Sequence, residues 1–267
     1  MLNDITIGKY YPGQSFVHKL DPRTKIIWTF FFMFAVIVIN NLLLYIPVML
    51  GLLIIIAASK VPFKTAVGTV KSMSFLILFT FVLNIFFLRT GHVYFKYSMF
   101  AVTSDGLYMA VTMSVRIIIL VIGASMLMFT TTPLLLTSGI EKLLGPFKRF
   151  GLPAHEIAMM MTIALRFIPT LIEETQKIMK AQMSRGADFE SKNFMSRAKS
   201  MIPLLVPLFV SAFRRADELA IAMESRCYNM GKGKTSMKEI KFGKNDVTAF
   251  AIMGVSALVL IILSKLL

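Results

Sequence analysis

Two long helical patterns read PAHEIAMMMTIALRFIPTLIEETQKIMKAQMSRG over residues 153–186 and FMSRAKSMIPLLVPLFVSAFRRADELAIAMESRCY over residues 194–228. Each pattern is apolar in its first half and polar in its second half. Each also ends in the same short motif, Ala-x-x-Ser-Arg, at residues 181–185 and 222–226. The repeat predicts two long helices with matching C-terminal ends, around which the rest of the chain is organised.

The residues at these two ends predict a pair of docking sites. An arginine at a helix C-terminus often only complements the helix dipole, which stabilises a helix by about 0.3–1 kcal/mol. Two arginines at two matching ends favour a second interpretation, in which each planar guanidinium binds a carboxylate of a partner. Gly186 can end a helix in the left-handed conformation, and Cys227 at the equivalent place makes the two sites non-identical. The candidate docking residues are Ser184, Arg185, Gly186, Ser225, Arg226 and Cys227, with the small residues Ala181 and Ala222 beside them.

The composition predicts a membrane protein. Of the 267 residues, 56% are hydrophobic and 16% are charged, whereas soluble domains carry about 25% charged residues. The formal net charge is +15, and excess base in a membrane protein marks the loops that face the cytoplasm. Nucleic-acid binding is the other common reason for a basic chain, and the apolar content argues against it.

Five apolar segments, of which four are uncharged and one carries a single arginine, predict about five transmembrane helices in an all-α membrane protein. Residues 26–59 contain no charge and would form a helix of about 50 Å, which is too long for one crossing of a core about 30 Å thick. The pair Asn40-Asn41 divides this run into two spans. A hairpin or irregular loop is expected between the third and fourth spans, followed by a helix start with hydroxyl caps at Thr103 to Gly106. The predicted spans are residues 26–39, 42–58, 72–88, 107–129 and 247–263.

The spans define a four-part organisation. A cytoplasmic segment (1–25) precedes a membrane domain of four spans (26–129), a cytoplasmic or interfacial coupling domain (130–246) and the last span (247–267). The coupling domain should contain helices at about 133–150, 154–185 and 194–228. The first is amphipathic and starts with Thr132 as its N-cap and Pro133 at its first position.

Three prolines predict hinges or kinks in the two long helices, because proline removes a backbone hydrogen bond. They are Pro169 in the first helix and Pro203 and Pro207 in the second. The uncharged run 200–213 in the second helix could be a sixth span, but its 14 residues are short for one and two prolines fit a surface helix, so we favour an interfacial helix. The basic loops orient the chain with its N-terminus in the cytoplasm, as a multi-pass protein of the cell membrane.

The sequence contains no pattern of catalytic or metal-binding residues. His18, His92 and His155 lie far apart without ligand spacing, so no metal site is expected. The predicted spans contain no paired carboxylates, and the sequence has no phosphate-binding loop. A membrane enzyme is therefore disfavoured. A self-sufficient carrier or channel remains the alternative, with Arg116 as the one ionisable residue inside a predicted span.

Over essentially its full length, the sequence resembles the transmembrane T component of energy-coupling factor transporters, the family that includes the cobalt-transport Q protein. The resemblance rests on the segments at residues 20–25 (Leu-Asp-Pro-Arg-Thr-Lys), 103–107 and 164–169 (Ala-Leu-Arg-Phe-Ile-Pro), and on the two Ser-Arg motifs. The family's motif at the helix ends is usually Ala-Arg-Gly. Here serine replaces alanine in both copies, and Cys227 replaces the second glycine.

The resemblance implies an ATP-driven importer of vitamins or metal ions in a bacterial plasma membrane. The T component would be a scaffold that hydrolyses no ATP and carries no cofactor. Its partners would be two cytoplasmic ATPases, expected as a heterodimer that binds ATP and Mg, and a small membrane S component that binds the substrate. Arg185 and Arg226 would dock in the two ATPases, and the apolar halves of the long helices would reorient the S component.

Overall fold

A computed structural model describes residues 10–87, 92–97, 100–151, 153–189, 194–228 and 242–266. These residues are predominantly helical, which confirms the predicted all-α membrane class. A small antiparallel hairpin of β1 (Val93–Tyr97) and β2 (Phe100–Thr103) lies in the region where the sequence predicted a hairpin or irregular loop. The α-helices of the described chain are α1 (Pro22–Val38), α2 (Tyr45–Ser59), α3 (Phe63–Ser72), α4 (Ser74–Phe87), α5 (Ser104–Thr130), α6 (Pro133–Leu144), α7 (Ala154–Ser184), α8 (Phe194–Ser225) and α9 (Lys244–Leu266).

The helices form two compact units. One unit contains α1 to α6, the hairpin and α9, and the other contains α7 and α8. In the first unit, α5 contacts α1, α2, α3 and α4, so it is the central helix. Buried apolar side chains of these helices form two clusters against α5, one around Ile122, Met126 and Phe129 and the other around Ile119 and Val36.

Side-chain caps fix the starts of three helices in the first unit. The side chain of Asp21 accepts a hydrogen bond from the backbone N–H of Arg23, one residue beyond Pro22 in α1. The hydroxyl of Thr103 accepts from the N–H of Gly106 at 3.1 Å, and Thr132 caps α6 in the same way. The predicted helix starts at Thr103 and Thr132 are thereby confirmed.

Among the described residues, four helical segments are long and apolar enough to cross a membrane: Leu42–Ser59, Ser104–Thr130, Ala154–Ser184 and Lys244–Ser264. Together, α3 and α4 would make a fifth if they count as one span, with a bend of 58° between them. The number of candidate spans agrees with the prediction of about five, but they are not the same five segments. At 17 residues, about 26 Å, α1 is short for a hydrocarbon core of about 30 Å, whereas α7 qualifies by length and composition.

The amphipathic helix predicted at 133–150 is shorter in the structure. It ends at Leu144 and continues as a tighter 3-10 helix over Gly145–Phe150. Pro146 lacks the backbone N–H that an α-helix would require there. Helix α6 packs against α1 in the first unit. A Cβ on Gly139 would lie only 2.9 Å from Pro22 Cβ, so glycine at this position permits the close approach of the two helices.

Buried polar groups join the N-terminal segment to α1, α5 and α9. The backbone N–H of Asp21 donates to Asp246 Oδ1 at 2.8 Å. Lys25 Nζ donates to the carbonyl oxygens of His18 at 3.0 Å and Thr130 at 2.9 Å. Burial lowers the pKa of Lys25 from 10.5 to about 8, although the carboxylates of Asp246 and Asp21 raise it. The segment Leu20 to Lys25, on which the family resemblance partly rests, therefore links the start of α1 to the end of α5 and the start of α9.

Candidate functional site

The C-terminal end of α7 is a Schellman motif, a common way to satisfy the last carbonyls of a helix. The backbone N–H of Ala187 donates to the carbonyl of Gln182 at 3.0 Å, and that of Gly186 donates to Met183 at 3.0 Å. Gly186 has a φ of +88°, the left-handed conformation that this motif requires. Arg185 is therefore the C-cap residue of α7, and it is exposed.

The C-terminal end of α8 has the same hydrogen-bond pattern. The N–H of Tyr228 donates to the carbonyl of Met223 at 2.9 Å, and that of Cys227 donates to Glu224 at 2.8 Å. Cys227 has a φ of +55° and takes the place of the glycine. Arg226 is the exposed C-cap residue of α8, so the two arginines occupy equivalent positions in two matching caps.

The serines before the arginines also adopt the same arrangement. Ser184 Oγ donates to the carbonyl of Lys180 at 3.1 Å, and Ser225 Oγ donates to that of Ile221 at 2.7 Å. Each hydroxyl is thus directed back along its own helix. Ala181 and Ala222, one turn earlier, are exposed and small. The small side chains one turn before each arginine would therefore leave space beside the guanidinium for an approaching partner.

A single carboxylate in the middle of α7 binds two side chains of α8. Glu174 Oε1 accepts from Ser211 Oγ at 2.5 Å, and Glu174 Oε2 accepts from Arg215 Nη2 at 2.8 Å. Ser211 and Arg215 are one helical turn apart on the same face of α8. Sequence analysis did not identify this contact, which we call the Glu174 bridge, because nothing local links residues about forty positions apart.

The contacts between α7 and α8 show that the two helices run in opposite directions. Tyr228, just beyond α8, donates its hydroxyl to Met159 Sδ near the start of α7 at 2.8 Å, whereas Glu174 further along α7 contacts Arg215. The structure therefore does not bring Arg185 and Arg226 together. They lie at opposite ends of the pair, each about 16 Å along its helix from the Glu174 bridge.

An open groove separates α7 from α8 on the side of the bridge nearer Tyr228. Its volume is about 490 Å³. The α7 wall carries large apolar side chains at helical spacing, and the α8 wall alternates three alanines with larger side chains, so part of the space between the helices is unfilled. The α7 wall consists of Met159, Ile163, Phe167 and Leu171, and the alanines of α8 are Ala212, Ala216 and Ala220.

Both long helices continue through their prolines as single helices. Pro169 lies inside α7, and Pro203 and Pro207 lie inside α8. The side of α8 around its two prolines exposes large apolar residues that repeat every three or four positions, which is the spacing of one helix face. This exposed stripe consists of Ile202, Leu205, Val206, Phe209 and Phe213.

Arg116, the candidate pathway residue of the alternative function, lies in α5 and binds the turn between α1 and α2. Its guanidinium donates to the carbonyl of Ile39 at 2.6 Å, to the hydroxyl of Tyr45 at 2.8 Å and to Asn40 Oδ1 at 3.3 Å. Ile39 is the C-cap residue of α1, whose carbonyl has no partner within the helix. Arg116 thus anchors a helix end.

In the described part of the chain, no group of three or more histidine, cysteine or acidic side chains is arranged to hold a metal ion. The only cysteine in the sequence, Cys227, is exposed and has a free thiol.

Comparison with known proteins gives consistent matches over nearly the whole chain. Residues 13–237 match the family model CbiQ, described as cobalt transport protein. Three relatives carry the name energy-coupling factor transporter transmembrane protein EcfT. The protein of Acidaminococcus fermentans is 51% identical over 95% of this chain and 94% of its own length. Those of Clostridium kluyveri and Bacillus subtilis are 51% and 44% identical, over 100% and 98% of this chain and 97% and 99% of their own lengths.

These matches confirm the resemblance that the sequence motifs indicated. The family model covers far more than half of the chain, and the three relatives align over at least 95% of it. The chain therefore belongs to the CbiQ family, as a transmembrane (T) component of energy-coupling factor transporters.

Proposed function

We propose that this chain couples ATP hydrolysis by two cytoplasmic ATPases, which bind ATP and Mg, to movement of a substrate-binding S component. The chain itself hydrolyses no ATP, and the cargo is a vitamin or another micronutrient. The observation that carries the proposal is the matching pair of caps, which expose Arg185 and Arg226 in the same backbone geometry. One such end would be an ordinary helix terminus, whereas two equivalent ends suit a partner made of two similar subunits.

The difference between the two caps supports a heterodimeric ATPase pair. Gly186 has no side chain, whereas Cys227 adds a thiol at the corresponding position. Each guanidinium would bind a carboxylate of one ATPase, because its planar fork matches the two carboxylate oxygens. The bond would form at an exposed end, so its contribution to affinity would be modest, and the two contacts would act together through effective concentration.

The exposed apolar stripe of α8 is the surface we assign to the S component. Its large side chains, among them Phe209 and Phe213, are 60% and 68% exposed. An apolar face of this size that the described part of the chain leaves exposed is typical of an interaction surface. Movement of α8 by its docked ATPase would then be transmitted directly to the substrate-binding subunit. We place the assembly in the bacterial plasma membrane with the N-terminus in the cytoplasm.

The alternative function, a self-sufficient carrier or channel, is disfavoured because its one candidate residue is engaged elsewhere in the fold. Arg116 was its candidate, and the guanidinium is engaged by the turn between α1 and α2. Buried ionisable groups in transport pathways usually face a cavity or the substrate.

A purification experiment tests the proposal. The tagged chain is extracted from membranes together with its partners, as the wild type and as Arg185→Glu plus Arg226→Glu. We expect the wild type to retain two ATPases and the double variant to lose them, because each new carboxylate repels its partner carboxylate. Either single variant should keep the ATPases through its remaining contact.

Arg214→Glu is the matched control, since Arg214 is an exposed arginine of α8 that lies a full three turns before the cap. It makes the same charge change as either single variant and should leave the complex intact. Retention of both ATPases by a double variant that inserts normally would contradict the proposal. So would uptake by the purified chain alone in liposomes.

A further inference from the structure

The geometry of the Glu174 bridge opposes sliding of α7 along α8 but permits rotation between them. On α7 the attachment is one carboxylate, and on α8 it is two side chains one turn apart, Ser211 and Arg215. Two bonds to separate points of α8 oppose sliding of one helix along the other. A single point on α7 leaves the angle between the two helix axes free to change.

The rest of the contact between the two helices permits such a change. The groove has a volume of about 490 Å³, and three alanines in its α8 wall leave open space in which the side chains of α7 can shift toward or away from α8. At the far end of the groove, Tyr228 meets the unbranched side chain of Met159, which adapts readily to a moving neighbour.

The bridge also lies midway between the two docking arginines. Glu174 precedes Arg185 by the same number of residues as Arg215 precedes Arg226. The two arms point in opposite directions and are each about 16 Å long. A change of about 10° in the crossing angle would therefore move each arginine by roughly 3 Å.

We propose that the Glu174 bridge is the pivot on which α7 and α8 turn against each other when the docked ATPases move. The inference rests on the proposed function, because it assigns the bridge a role within that cycle. Glu174 and Arg215 are positioning residues here: they touch neither the ATPases nor the cargo. They convert displacement of both helix ends into a defined rotation of the apolar stripe of α8. Without the pivot, the ATPases would still hydrolyse ATP, but the two helices could slide and much of the motion would be lost.

The chain supplies closely matched controls for this proposal. Glu173 and Arg214 are the immediate neighbours of Glu174 and Arg215, carry the same charges and are exposed. Neither takes part in the bridge. Conservative changes at Glu173 and Arg214 therefore repeat the chemistry of a bridge variant without breaking the bridge.

The experiment measures uptake and ATP hydrolysis in the reconstituted complete complex. We expect Glu174→Gln and Arg215→Met to retain both ATPases and their hydrolysis, while uptake per ATP falls about three- to tenfold, as expected for loss of a partly exposed charged hydrogen bond. The exchange Glu174→Arg plus Arg215→Glu should recover part of the loss. Glu173→Gln and Arg214→Met should stay within about twofold of the wild type.

A distance measurement gives a second readout that does not depend on transport. Spin labels at Lys180 and Glu218, which are exposed and lie outside the docking residues, are introduced in a Cys227→Ser background and report the separation of the two helix arms. Glu174→Gln should broaden the distance distribution, and Glu173→Gln should not. If a bridge variant fails to assemble, this comparison is made on the isolated full chain.

If Glu174→Gln changes neither the uptake per ATP nor the distance distribution, the proposal that the bridge is a pivot is wrong. This outcome is distinguishable from failure of the proposed function. If the double variant at Arg185 and Arg226 still binds both ATPases, the docking proposal fails whatever the bridge does. If that variant loses the ATPases while bridge variants couple normally, only the pivot is wrong.

Discussion

A residue in the left-handed conformation ends each of the helices α7 and α8, and only one of these two residues is glycine. Cys227 adopts a φ of +55°, where a Cβ costs roughly 1–2 kcal/mol relative to glycine. Cys227→Gly should relieve this cost and slow hydrogen exchange at the Tyr228 amide, which donates to Met223, about fivefold. Cys227→Ala keeps the Cβ and removes only the thiol, so its exchange rate should match the wild type. Equal rates in all three proteins would show that the cap is unstrained.

The buried amine of Lys25 should make the stability of the first unit depend on pH. Its pKa is lowered to about 8 by burial, whereas in the unfolded chain it is near 10.5. Between these values the unfolded state binds more protons, so the free energy of unfolding rises with pH, by roughly 3 kcal/mol over the whole window. The cost of the buried charge is fully present below pH 8.

Thermal unfolding of the detergent-solubilised chain from pH 7.5 to 10, against Lys25→Met, measures this dependence. We expect the unfolding temperature of the wild type to rise relative to that of the variant as pH increases. A parallel pH dependence in the two proteins would mean that Lys25 keeps its ordinary pKa.

At the scale of elements, Arg116 determines how the turn between α1 and α2 meets α5. Arg116→Met would leave the carbonyl of Ile39 without this charged donor and Tyr45 without its guanidinium partner, at a cost of about 2–3 kcal/mol. We expect a lower unfolding temperature, with uptake per folded complex unchanged. Arg116→Lys keeps the charge and should lose less stability. A variant that is fully stable but transports poorly would instead support a pathway role for Arg116.

Local sequence signals predicted the starts of the helices better than their ends and their partners. Thr103 and Thr132 carry their capping chemistry in their own side chains, so the sequence alone was enough to identify both helix starts. The α-helix that ends at Leu144 was predicted too long, because an amphipathic pattern continues through the 3-10 helix that follows. The Glu174 bridge depends on how the two helices pack. The sequence could not single out Glu174 and Arg215, because Glu173 and Arg214 beside them carry the same charges.

The candidate docking residues were predictable because a repeated motif is visible without a fold. Their common backbone geometry was only partly predictable. Gly186 is an expected left-handed residue, whereas the same conformation at Cys227 follows from its position after Arg226 rather than from its own preference. The antiparallel arrangement of the long helices was not predicted, because it depends on contacts between residues far apart in the sequence.

For the whole molecule, the antiparallel course constrains how α7 and α8 can meet a membrane. By length and composition, α7 could cross the bilayer. If the pair crossed it, Arg185 and Arg226 would emerge on opposite sides, and one ATPase pair could not reach both. The proposed function therefore requires the pair to lie along the cytoplasmic surface, and it predicts that both caps are accessible from the cytoplasm only.

The single cysteine of the chain makes this prediction testable with few changes, because Cys227 is exposed beside Arg226. Ser184→Cys in a Cys227→Ser background reports the other cap, and Asn40→Cys reports the turn between α1 and α2. Cells that produce the chain without ATPases are treated with a membrane-impermeant maleimide. We expect position 40 to react in intact cells, and positions 184 and 227 only after permeabilisation, because the basic loops hold these caps in the cytoplasm. Reaction of one cap but not the other in intact cells would place α7 or α8 across the membrane and exclude simultaneous docking.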